Sequence, residues 1–224
     1  MTLANLRKFI KRSESMSEEI SAEIAVKCSG ITKVFGSVVA NDGIDLEVKY
    51  GEILALLGEN GSGKTTLMNM LSGIYHPDKG NIYIAGKPEV INSPMDSIEL
   101  GIGMIHQHFK LVEVFSAADN IVAGTKGKLK SKGAVRDEIK KISEQLGLEV
   151  DPDKKVYNMS VSEKQTVEIL KVLYRGAKIL ILDEPTAVLT PQELKAFQYP
   201  EKMKAQGCAI IIITHKLGEV MGYI

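Results

Sequence analysis

GENGSGKTT, residues 58–66, is the segment that decides the fold of this chain, and it lies within LALLGENGSGKTTLMNML at residues 54–71. A short apolar run, a glycine-rich turn and a helix-forming segment follow one another there without a gap. The glycines allow positive φ, so that successive N–H groups can turn inward around an anion while Lys64 reaches over it. The pattern G-x-x-x-x-G-K-[ST] is complete and predicts a phosphate-binding loop for ATP or GTP.

The helix that opens at Gly63 or Lys64 adds unpaired N–H groups and the positive end of its dipole to this loop. The hydroxyl of Thr65 is suited to bind a Mg²⁺ ion that bridges two phosphates. A glycine loop that only joins a strand to a helix would not require Lys64 and Thr65 together. The predicted nucleotide-binding residues of the loop are Gly58, Glu59, Asn60, Gly61, Ser62, Gly63, Lys64, Thr65 and Thr66.

A chain of 224 residues with 44% hydrophobic and 25% charged residues is expected to form one globular domain with an insertion. Lys and Arg number 28, as do Asp and Glu, so that no net charge attracts nucleic acid or an acidic membrane. Two cysteines, Cys28 and Cys208, have neither disulfide nor zinc-site spacing and indicate reduced thiols in a cytosolic protein. The most apolar stretch, residues 209–213, is far shorter than the roughly 18 residues that cross a bilayer. Any work at a membrane would therefore go through a partner.

Residues 1–22 differ in composition from the rest of the chain. Leu3, Leu6 and Ile10 recur at helical spacing among basic residues, and a Ser/Glu-rich stretch follows. The segment is either a short basic helix on a lipid surface or a frayed leader upstream of a natural start at Met16. We treat it as an N-terminal extension and expect it to be poorly ordered.

The runs IAVKCSGI, SVVAND and GIDLEV, which begin at Ile24, alternate in polarity and are separated by turn residues, and they predict a small antiparallel sheet. Phe35 lies on this sheet, at a distance from the phosphate loop that could bring its ring over a nucleotide base. An aromatic residue alone is more often part of the core. The residues themselves therefore leave both roles open for Phe35.

Three later runs end in polar residues. GIGMIHQ ends at Gln107, while KILILDEP and CAIIIITH are almost wholly apolar, as strands buried on both faces of a parallel sheet are. Asp183 and Glu184 follow the second run, and His215 follows the third. The carboxyl ends of parallel strands meet at one edge of the sheet, so we expect these side chains beside the phosphate loop. Residues 108–158 are less apolar and predict a mainly helical insertion. The lysines of its GTKGKLKSKG turn are either a docking surface or a solvated loop.

Taken together, these motifs resemble the nucleotide-binding subunit of an ABC transporter over residues 24–221. The phosphate loop corresponds to Walker A, Gln107 to the Q-loop, ILILDE to Walker B and His215 to the switch histidine. MSVSE, residues 159–163, stands where the family has its signature. VVANDGIDLEV, GMIHQHFKLVEVFSAADNIVAG and ILKVLYRGAKILILDEPTAVLTPQE resemble the sugar and nucleoside import class, and the last two favour its nucleoside branch.

This resemblance implies an α/β fold of the P-loop NTPase (ABC ATPase) type. Its parts are a RecA-like parallel-sheet core, an N-terminal antiparallel β subdomain and an inserted α-helical subdomain at about residues 108–176, all within a domain of residues 23–224. Subunits of this class usually carry two nucleotide domains, of which we expect only the first here. The strands that normally complete the domain are not expected before Ile224, which indicates a fragment, a truncated chain or a decayed gene.

The resemblance also implies roles for the site residues. Lys64 and the loop amides would hold the β and γ phosphates, and Thr65 would bind Mg²⁺ with support from Asp183 through water. Glu184 would be the general base. Gln107 would contact the metal and the γ-phosphate and couple them to the membrane subunit.

Phe35 corresponds to the aromatic residue that stacks on adenine in this family. His215 would stabilise charge on the transferred phosphoryl group, although taken alone it would be a strand-end histidine satisfied by the backbone. Ser160 offers a hydroxyl for helix capping or for a γ-phosphate.

The signature departs from the family pattern. Val161 and Ser162 replace its glycines and Glu163 replaces its Gln, and Ser162 is unusual even within the import class. In this family the signature touches ATP bound by the opposite domain, so we expect a side chain at Ser162 to obstruct that contact. The alternative is that Ser162 is an ordinary cap at a helix start.

Two further departures lie later in the chain. Thr190 stands where many relatives carry Asp. Pro200 is expected to break or kink the otherwise helical stretch AFQYPEKMKAQG, because proline removes a backbone donor. Neither departure has a functional explanation from the sequence.

The leading hypothesis is an ATP-hydrolysing subunit, weak or inactive as an isolated fragment, that powers import of a nucleoside or simple sugar. Its expected partners are integral-membrane permease subunits, a second nucleotide-binding domain and an external solute-binding protein, with the chain peripheral on the cytoplasmic face of the inner membrane. No nucleic acid partner is expected. The alternatives are an ABC-fold ATPase that acts on nucleic acid or ribosomes, disfavoured by the short insertion and zero net charge, and a P-loop kinase, disfavoured by the Gln107, signature and His215 series.

Overall fold

The computed structural model describes residues 24–125, 131–185 and 199–215. Its strands form two four-stranded sheets within these residues. The antiparallel sheet contains β1 (Ile24–Phe35), β2 (Val38–Lys49), β4 (Lys79–Ile84) and β5 (Lys87–Glu89), in the order β2-β1-β4-β5. The parallel sheet contains β3 (Ile53–Leu57), β6 (Ile102–Ile105), β7 (Ile179–Asp183) and β8 (Ala209–Thr214), in the order β3-β8-β7-β6.

The antiparallel sheet differs in one respect from the sequence prediction. The runs SVVAND and GIDLEV were expected to be separate, but both belong to the single strand β2. Gly43, the first residue of GIDLEV, has φ of 59°, and its N–H donates to the Thr32 hydroxyl at 3.0 Å. The Asn-Asp-Gly sequence is therefore absorbed as a bulge in the ladder with β1, because glycine adopts the left-handed conformation that the bulge requires.

The parallel sheet follows the prediction for its two apolar runs. Every residue of β7 and β8 is buried, and the strands pair in parallel with Ile181 opposite Ile211. On the other side of β8, β3 pairs with Ile53 opposite Ile210. The carboxyl ends of these strands therefore lie at one edge of the sheet, together with the residues that follow them.

The described helices are α1 (Lys64–Leu71), α2 (Pro94–Glu99), α3 (Ala117–Val122), α4 (Lys132–Leu146), α5 (Val161–Tyr174) and α6 (Tyr199–Ala205). Three of them, α3 to α5, lie between β6 and β7 and pack around a cluster of their own that includes Ile121, Ile139 and Leu170. Helix α4 buries one face, with Val135, Ile139 and Leu146, and exposes charged residues on the other. None of the described helices is long and apolar enough to span a membrane.

Helix α1 packs against the parallel sheet and thereby fixes the loop that precedes it. Leu67, Met68, Met70 and Leu71 are buried in a cluster with residues of β7 and β8. Full burial of one such side chain is worth about 1.5–3 kcal/mol. The N-terminus of α1 is thus held firmly above the sheet edge.

Some predictions fall on residues outside the described ranges, namely those for residues 1–22, for Thr190 and for the stretch before Tyr199. Pro200 is the second residue of the described helix α6. Proline is tolerated in the first turn of a helix, where the N–H groups have no partner within the helix. Pro200 therefore lies in the first turn of α6, and within the described residues no earlier helical turn exists for it to break.

Candidate functional site

The glycine-rich loop connects β3 to α1 and ends at Gly63, the residue that precedes the helix. Gly63 has φ of 86° and Gly61 has φ of 84°, both in the left-handed region. No side-chain hydrogen bond caps the start of α1, and no acidic residue lies in its first turn. The first N–H groups of the helix and its positive dipole end are therefore available to an anion.

Strand β2 passes so close to the loop that only glycine fits at position 63. A Cβ placed on Gly63 would lie 2.2 Å from the Ala40 carbonyl oxygen. The Asn41 side chain donates from Nδ2 to the Gly63 carbonyl at 3.2 Å, while its buried Oδ1 has no hydrogen-bond partner. Sequence reasoning missed Ala40 and Asn41, because nothing local to VVAND indicates contact with a loop about twenty residues away.

Lys64 supplies the positive charge of the loop. Its Nζ donates to the Gly58 carbonyl at 2.8 Å, the Glu59 carbonyl at 2.8 Å and the Ser62 hydroxyl at 3.1 Å. All three partners belong to the loop itself, so the ammonium group is held at its centre. This arrangement suits a polyphosphate, which would accept hydrogen bonds from both the amides and the ammonium group.

Glu184 lies at the opposite wall, between two predicted site residues. Gln107 donates from Nε2 to Glu184 Oε2 at 3.1 Å, and His215 Nδ1 lies 2.8 Å from Glu184 Oε1. An ionised carboxylate can only accept, so Nδ1 of His215 must carry the proton in this pair. The structure brings together three residues that the sequence separates by 77 and 31 positions.

The backbone at Glu184 is unusual, with φ of 47° at a residue that is not glycine. Such a conformation costs about 1–3 kcal/mol and persists only where the surroundings enforce it. Here the Glu184 N–H donates to the Ile213 carbonyl at 2.9 Å, and Gln165 of α5 donates from Nε2 to the Pro185 carbonyl at 2.9 Å. Sequence reasoning missed Gln165, which is buried and reaches this edge from the helical insertion.

Asp183 is the last residue of β7 and is almost fully buried. Burial raises the pKa of its carboxyl group, the neighbouring charge of Glu184 raises it further, and Lys64 opposes both. A nearby cation favours the ionised form of a carboxylate in these surroundings. The position is therefore suited to a metal ion or its bound water.

The loop and the acidic edge line one cavity of about 510 Å³. The hairpin between β1 and β2 also contributes to its wall, through Phe35, Val38 and Val39. Sequence reasoning missed the two valines, which share the alternating pattern of any half-buried strand. The predicted site residues among its lining are Phe35, residues 60–66, Gln107, Asp183 and Glu184. Gly58, Glu59 and His215 do not line it, but each is hydrogen-bonded to a residue that does.

Ser160 and Ser162, also predicted as site residues, lie at the start of α5 and do not line this cavity. Ser160 is the N-cap: its hydroxyl accepts from the Glu163 N–H at 3.2 Å, and its own N–H donates to Glu163 Oε2 at 2.8 Å. Ser160, which the sequence offered for capping, is therefore the cap, whereas Ser162 lies in the first turn of the helix and does not cap it. The S-x-x-E pattern of residues 160–163 is a capping box that the sequence itself displays.

The cap is strengthened by Lys154, whose Nζ lies 2.6 Å from Glu163 Oε1. The Lys154 ammonium group and the Ser160 N–H hold the pKa of Glu163 below its usual range. Ser162 is the second residue of the helix, on a first turn whose geometry the capping box fixes. Its side chain takes no part in that cap.

Comparison with known protein families matches residues 41–187, more than half of the chain, to the model for the ABC transporter domain. The chain belongs to this family. It is also similar to the nucleoside import ATP-binding protein NupA of Lactococcus lactis subsp. cremoris (strain MG1363), with 50% identity over 88% of this chain and 40% of that protein.

Two further relatives have related names. The guanosine import ATP-binding protein NupO of Bacillus subtilis (strain 168) is 50% identical over 84% of this chain and 38% of its own length. The ribose import ATP-binding protein RbsA 1 of Burkholderia thailandensis (strain ATCC 700388 / DSM 13276 / CCUG 48851 / CIP 106301 / E264) is 45% identical over 86% of this chain and 39% of its own length. The chain thus spans about 40% of the length of these relatives.

The fold comparison agrees with the family. A nucleotide-free ATP-binding cassette from an ABC transporter superimposes with a TM-score of 0.79 at 28% sequence identity, covering 90% of this chain and 85% of that one. The α/β fold predicted from the sequence, with a parallel core sheet and an N-terminal antiparallel sheet, is confirmed.

Proposed function

We propose that this chain binds Mg-ATP and hydrolyses it to power the import of a nucleoside through a partner permease. The observation that carries the proposal is the single cavity in which Glu184, between Gln107 and His215, faces the Lys64 loop. A carboxylate opposite a phosphate-binding loop is the arrangement needed to deprotonate a water that attacks a terminal phosphate. The relatives named for nucleoside and guanosine import are 50% identical to this chain and the relative named for ribose import is 45% identical, which supports nucleoside import over sugar import.

The loop binds the triphosphate in this proposal. Lys64 exchanges its hydrogen bonds with the Gly58 and Glu59 carbonyls for bonds to phosphate oxygens, and the first N–H groups of α1 donate to the same groups. The close approach of the Ala40 carbonyl to Gly63 helps to fix the position of the loop. Phe35, partly exposed on the cavity wall, stacks on the base.

Mg²⁺ fits the oxygen ligands on this wall, which are the Thr65 hydroxyl, the Asp183 carboxylate acting through water and the Gln107 amide oxygen. When bound, the ion supplies positive charge that neutralises the β and γ phosphate oxygens. Gln107 uses its Nε2 for Glu184, which leaves its amide oxygen as the atom that faces a cation. That charge would favour the ionised form of the buried Asp183, whose pKa is raised by burial.

Hydrolysis requires Glu184 to exchange its present partners for water. Glu184 accepts the proton of the attacking water at the oxygen now bonded to Gln107. His215 remains bonded to the other carboxylate oxygen and keeps the side chain in position. A protonated His215 ring would in addition place positive charge near the transferred phosphoryl group, although the ring does not line the cavity in this structure.

The partners in this proposal follow from the relatives. An import ATP-binding protein works with a membrane permease, so the chain would sit peripherally on the cytoplasmic face of the inner membrane. A second nucleotide-binding domain would supply the opposing signature, and an external solute-binding protein would deliver the nucleoside. The 40% coverage of the relatives leaves room for that second domain within their own length.

The import role can be tested by co-expressing the tagged chain with a multi-span permease of the nucleoside import class, then purifying from detergent-solubilised membranes. We expect the permease to co-purify and the complex to hydrolyse ATP faster than the chain alone. The Mg²⁺ requirement is measured in the same preparation by titration with EDTA, which should abolish turnover. Recovery of the chain with ribosomes or nucleic acid, and with no membrane protein, would contradict the proposal.

Ser162→Gly is expected to tighten ATP-dependent association with the partner nucleotide domain by roughly 10-fold, because it relieves a close contact with the opposing nucleotide. The ATP affinity of this chain itself should not change, because Ser162 does not line its cavity. Sedimentation of the two domains with and without ATP gives the measurement. Ser162→Ala is the matched control, since it removes the hydroxyl but keeps the Cβ. Equal association of the parent and both variants would leave Ser162 as an ordinary residue of the first helical turn.

A further inference from the structure

Phe35 lies at the exposed tip of the β1–β2 hairpin. The strands are joined by a two-residue turn that places Phe35 opposite Val38, and both side chains are exposed, Phe35 by 42%. On the other side of β1, the ladder with β4 reaches only as far as the pair Thr32 and Lys79. The hairpin tip therefore projects beyond the sheet and needs support from elsewhere to hold one orientation.

The segment from Tyr75 to Asp78, which we call the clamp segment, supplies this support. The ring of Tyr75 meets the ring of Phe35 edge to face, with centroids 5.1 Å apart and planes at 70°. Asp78 accepts from the Val34 N–H at 2.7 Å, and its own N–H donates to the Thr32 carbonyl at 2.8 Å. The clamp segment therefore contacts both the Phe35 ring and the backbone of β1 just before it.

Lys33 completes the contact between the clamp segment and the hairpin. Its Nζ lies 3.0 Å from Asp78 Oδ1 and 5.4 Å from the centroid of the Phe35 ring. The Val34 N–H and the Lys33 ammonium group hold the pKa of Asp78 below its usual range, so the carboxylate stays ionised at neutral pH. The ion pair therefore keeps the ammonium group against the aromatic ring.

The clamp segment is itself anchored to the helix that follows the phosphate loop. The Ile74 and Tyr75 N–H groups both donate to the Asn69 carbonyl of α1, at 2.9 and 3.1 Å. Tyr75 is half-buried and packs against the core that also holds α1. The phosphate loop and the support of Phe35 are consequently built on opposite ends of one short helix.

Phe35 lines the cavity, whereas Tyr75 and Lys33 do not. The two residues therefore contact the Phe35 ring outside the cavity, and the part of the ring that lines the cavity is available to a ligand. A planar base could lie there, because aromatic rings stack on one face while an edge or a cation occupies another.

We propose that Tyr75 and Asp78 are positioning residues that hold Phe35 in place to stack on the nucleotide base. The inference rests on the proposed nucleotide binding and extends it, because it assigns part of the base affinity to residues outside the cavity. Without the clamp segment, Phe35 on its projecting hairpin would lose entropy each time a nucleotide bound. With the clamp segment, the platform is already ordered with respect to the phosphate loop.

The experiment compares two ligands by calorimetry on the isolated chain, Mg-ATP and Mg-tripolyphosphate, which lacks the base. We expect Phe35→Ala to weaken ATP binding by about 5- to 100-fold, as loss of base stacking does. Tyr75→Leu and Asp78→Ala should each weaken it by about 2- to 10-fold, as loss of an aromatic pair or of its support does. Tripolyphosphate binding should stay at the parent value in all three variants.

Two further variants sharpen the result. Tyr75→Phe keeps the ring and should restore the parent affinity for ATP. Tyr83→Leu is the matched control, because Tyr83 lies on β4 of the same sheet, opposite Lys27 and away from the hairpin tip. It should leave both affinities unchanged.

The outcomes separate this inference from the proposed function. If the parent binds neither ligand, the proposed function fails and the inference fails with it. If Phe35→Ala weakens ATP binding but Tyr75→Leu and Asp78→Ala do not, the clamp segment has no positioning role and only the inference is overturned. Equal weakening of ATP and tripolyphosphate in Tyr75→Leu would also overturn it, because that pattern marks damage to α1 and its loop.

Discussion

Glu184→Gln is expected to lower ATP turnover in the assembled transporter by about 10²- to 10⁴-fold while ATP binding is retained. The introduced amide has the shape of the carboxylate but cannot take a proton from water. It can still accept from His215 Nδ1 through its oxygen, and its new NH₂ group keeps a partner if the Gln107 amide turns to present its oxygen. Phosphate release measures the turnover and calorimetry measures the nucleotide affinity, both on the same preparation.

Because the variant retains its nucleotide, we also expect ATP-dependent association with the partner domain to persist for longer than in the parent. Glu47→Gln is the matched control, because Glu47 lies on the antiparallel sheet and pairs with Lys27, away from the cavity. Turnover equal to that of the parent, in a complex whose parent form is active, would exclude Glu184 as the base.

Lys64→Ala is expected to weaken ATP binding by roughly 10- to 150-fold, because charge-assisted hydrogen bonds are worth about 1.5–3 kcal/mol. The variant also loses the bonds from Nζ to the Gly58 and Glu59 carbonyls, which order the loop in this structure. Calorimetry with Mg-ATP provides the measurement, and thermal unfolding checks that the domain remains folded.

Two controls separate the charge from other effects of that substitution. Lys64→Met keeps most of the aliphatic stem and should weaken binding as much as Lys64→Ala does. Lys87→Ala, on β5, changes the net charge equally without touching the loop and should bind like the parent. An unchanged affinity in both Lys64 variants would contradict the assignment of the loop.

Local patterns were sufficient for the parts of this protein whose physics is local. The phosphate loop is recognisable because positive φ at Gly61 and Gly63 and a helix start at Lys64 are properties of a few adjacent residues. The uninterrupted apolar runs of β7 and β8 identify strands buried on both faces. The shared edge of a parallel sheet then brings Glu184 and His215 together without further information.

The sequence predictions differ from the structure where a feature depends on contacts between segments that are distant in the sequence. The Asn-Asp-Gly turn within β2 became a bulge because β1 offers the Thr32 hydroxyl to Gly43, which the sequence of β2 does not reveal. In the signature segment, by contrast, the hydroxyl of Ser160 was predicted from the sequence as a helix cap, and the capping box with Glu163 is a local pattern of four residues.

The sequence by itself determined the family, the phosphate loop and the order of the polar residues at the strand ends, because each motif that carries them is a short pattern of consecutive residues. Only the tertiary structure decided that Asn41 supports Gly63, that Gln165 supports the strained Glu184 backbone and that Tyr75 supports Phe35. Each of these pairs joins segments 20 to 40 positions apart. Their contacts depend on how whole strands and helices pack against one another, and local residue preferences do not predict that packing.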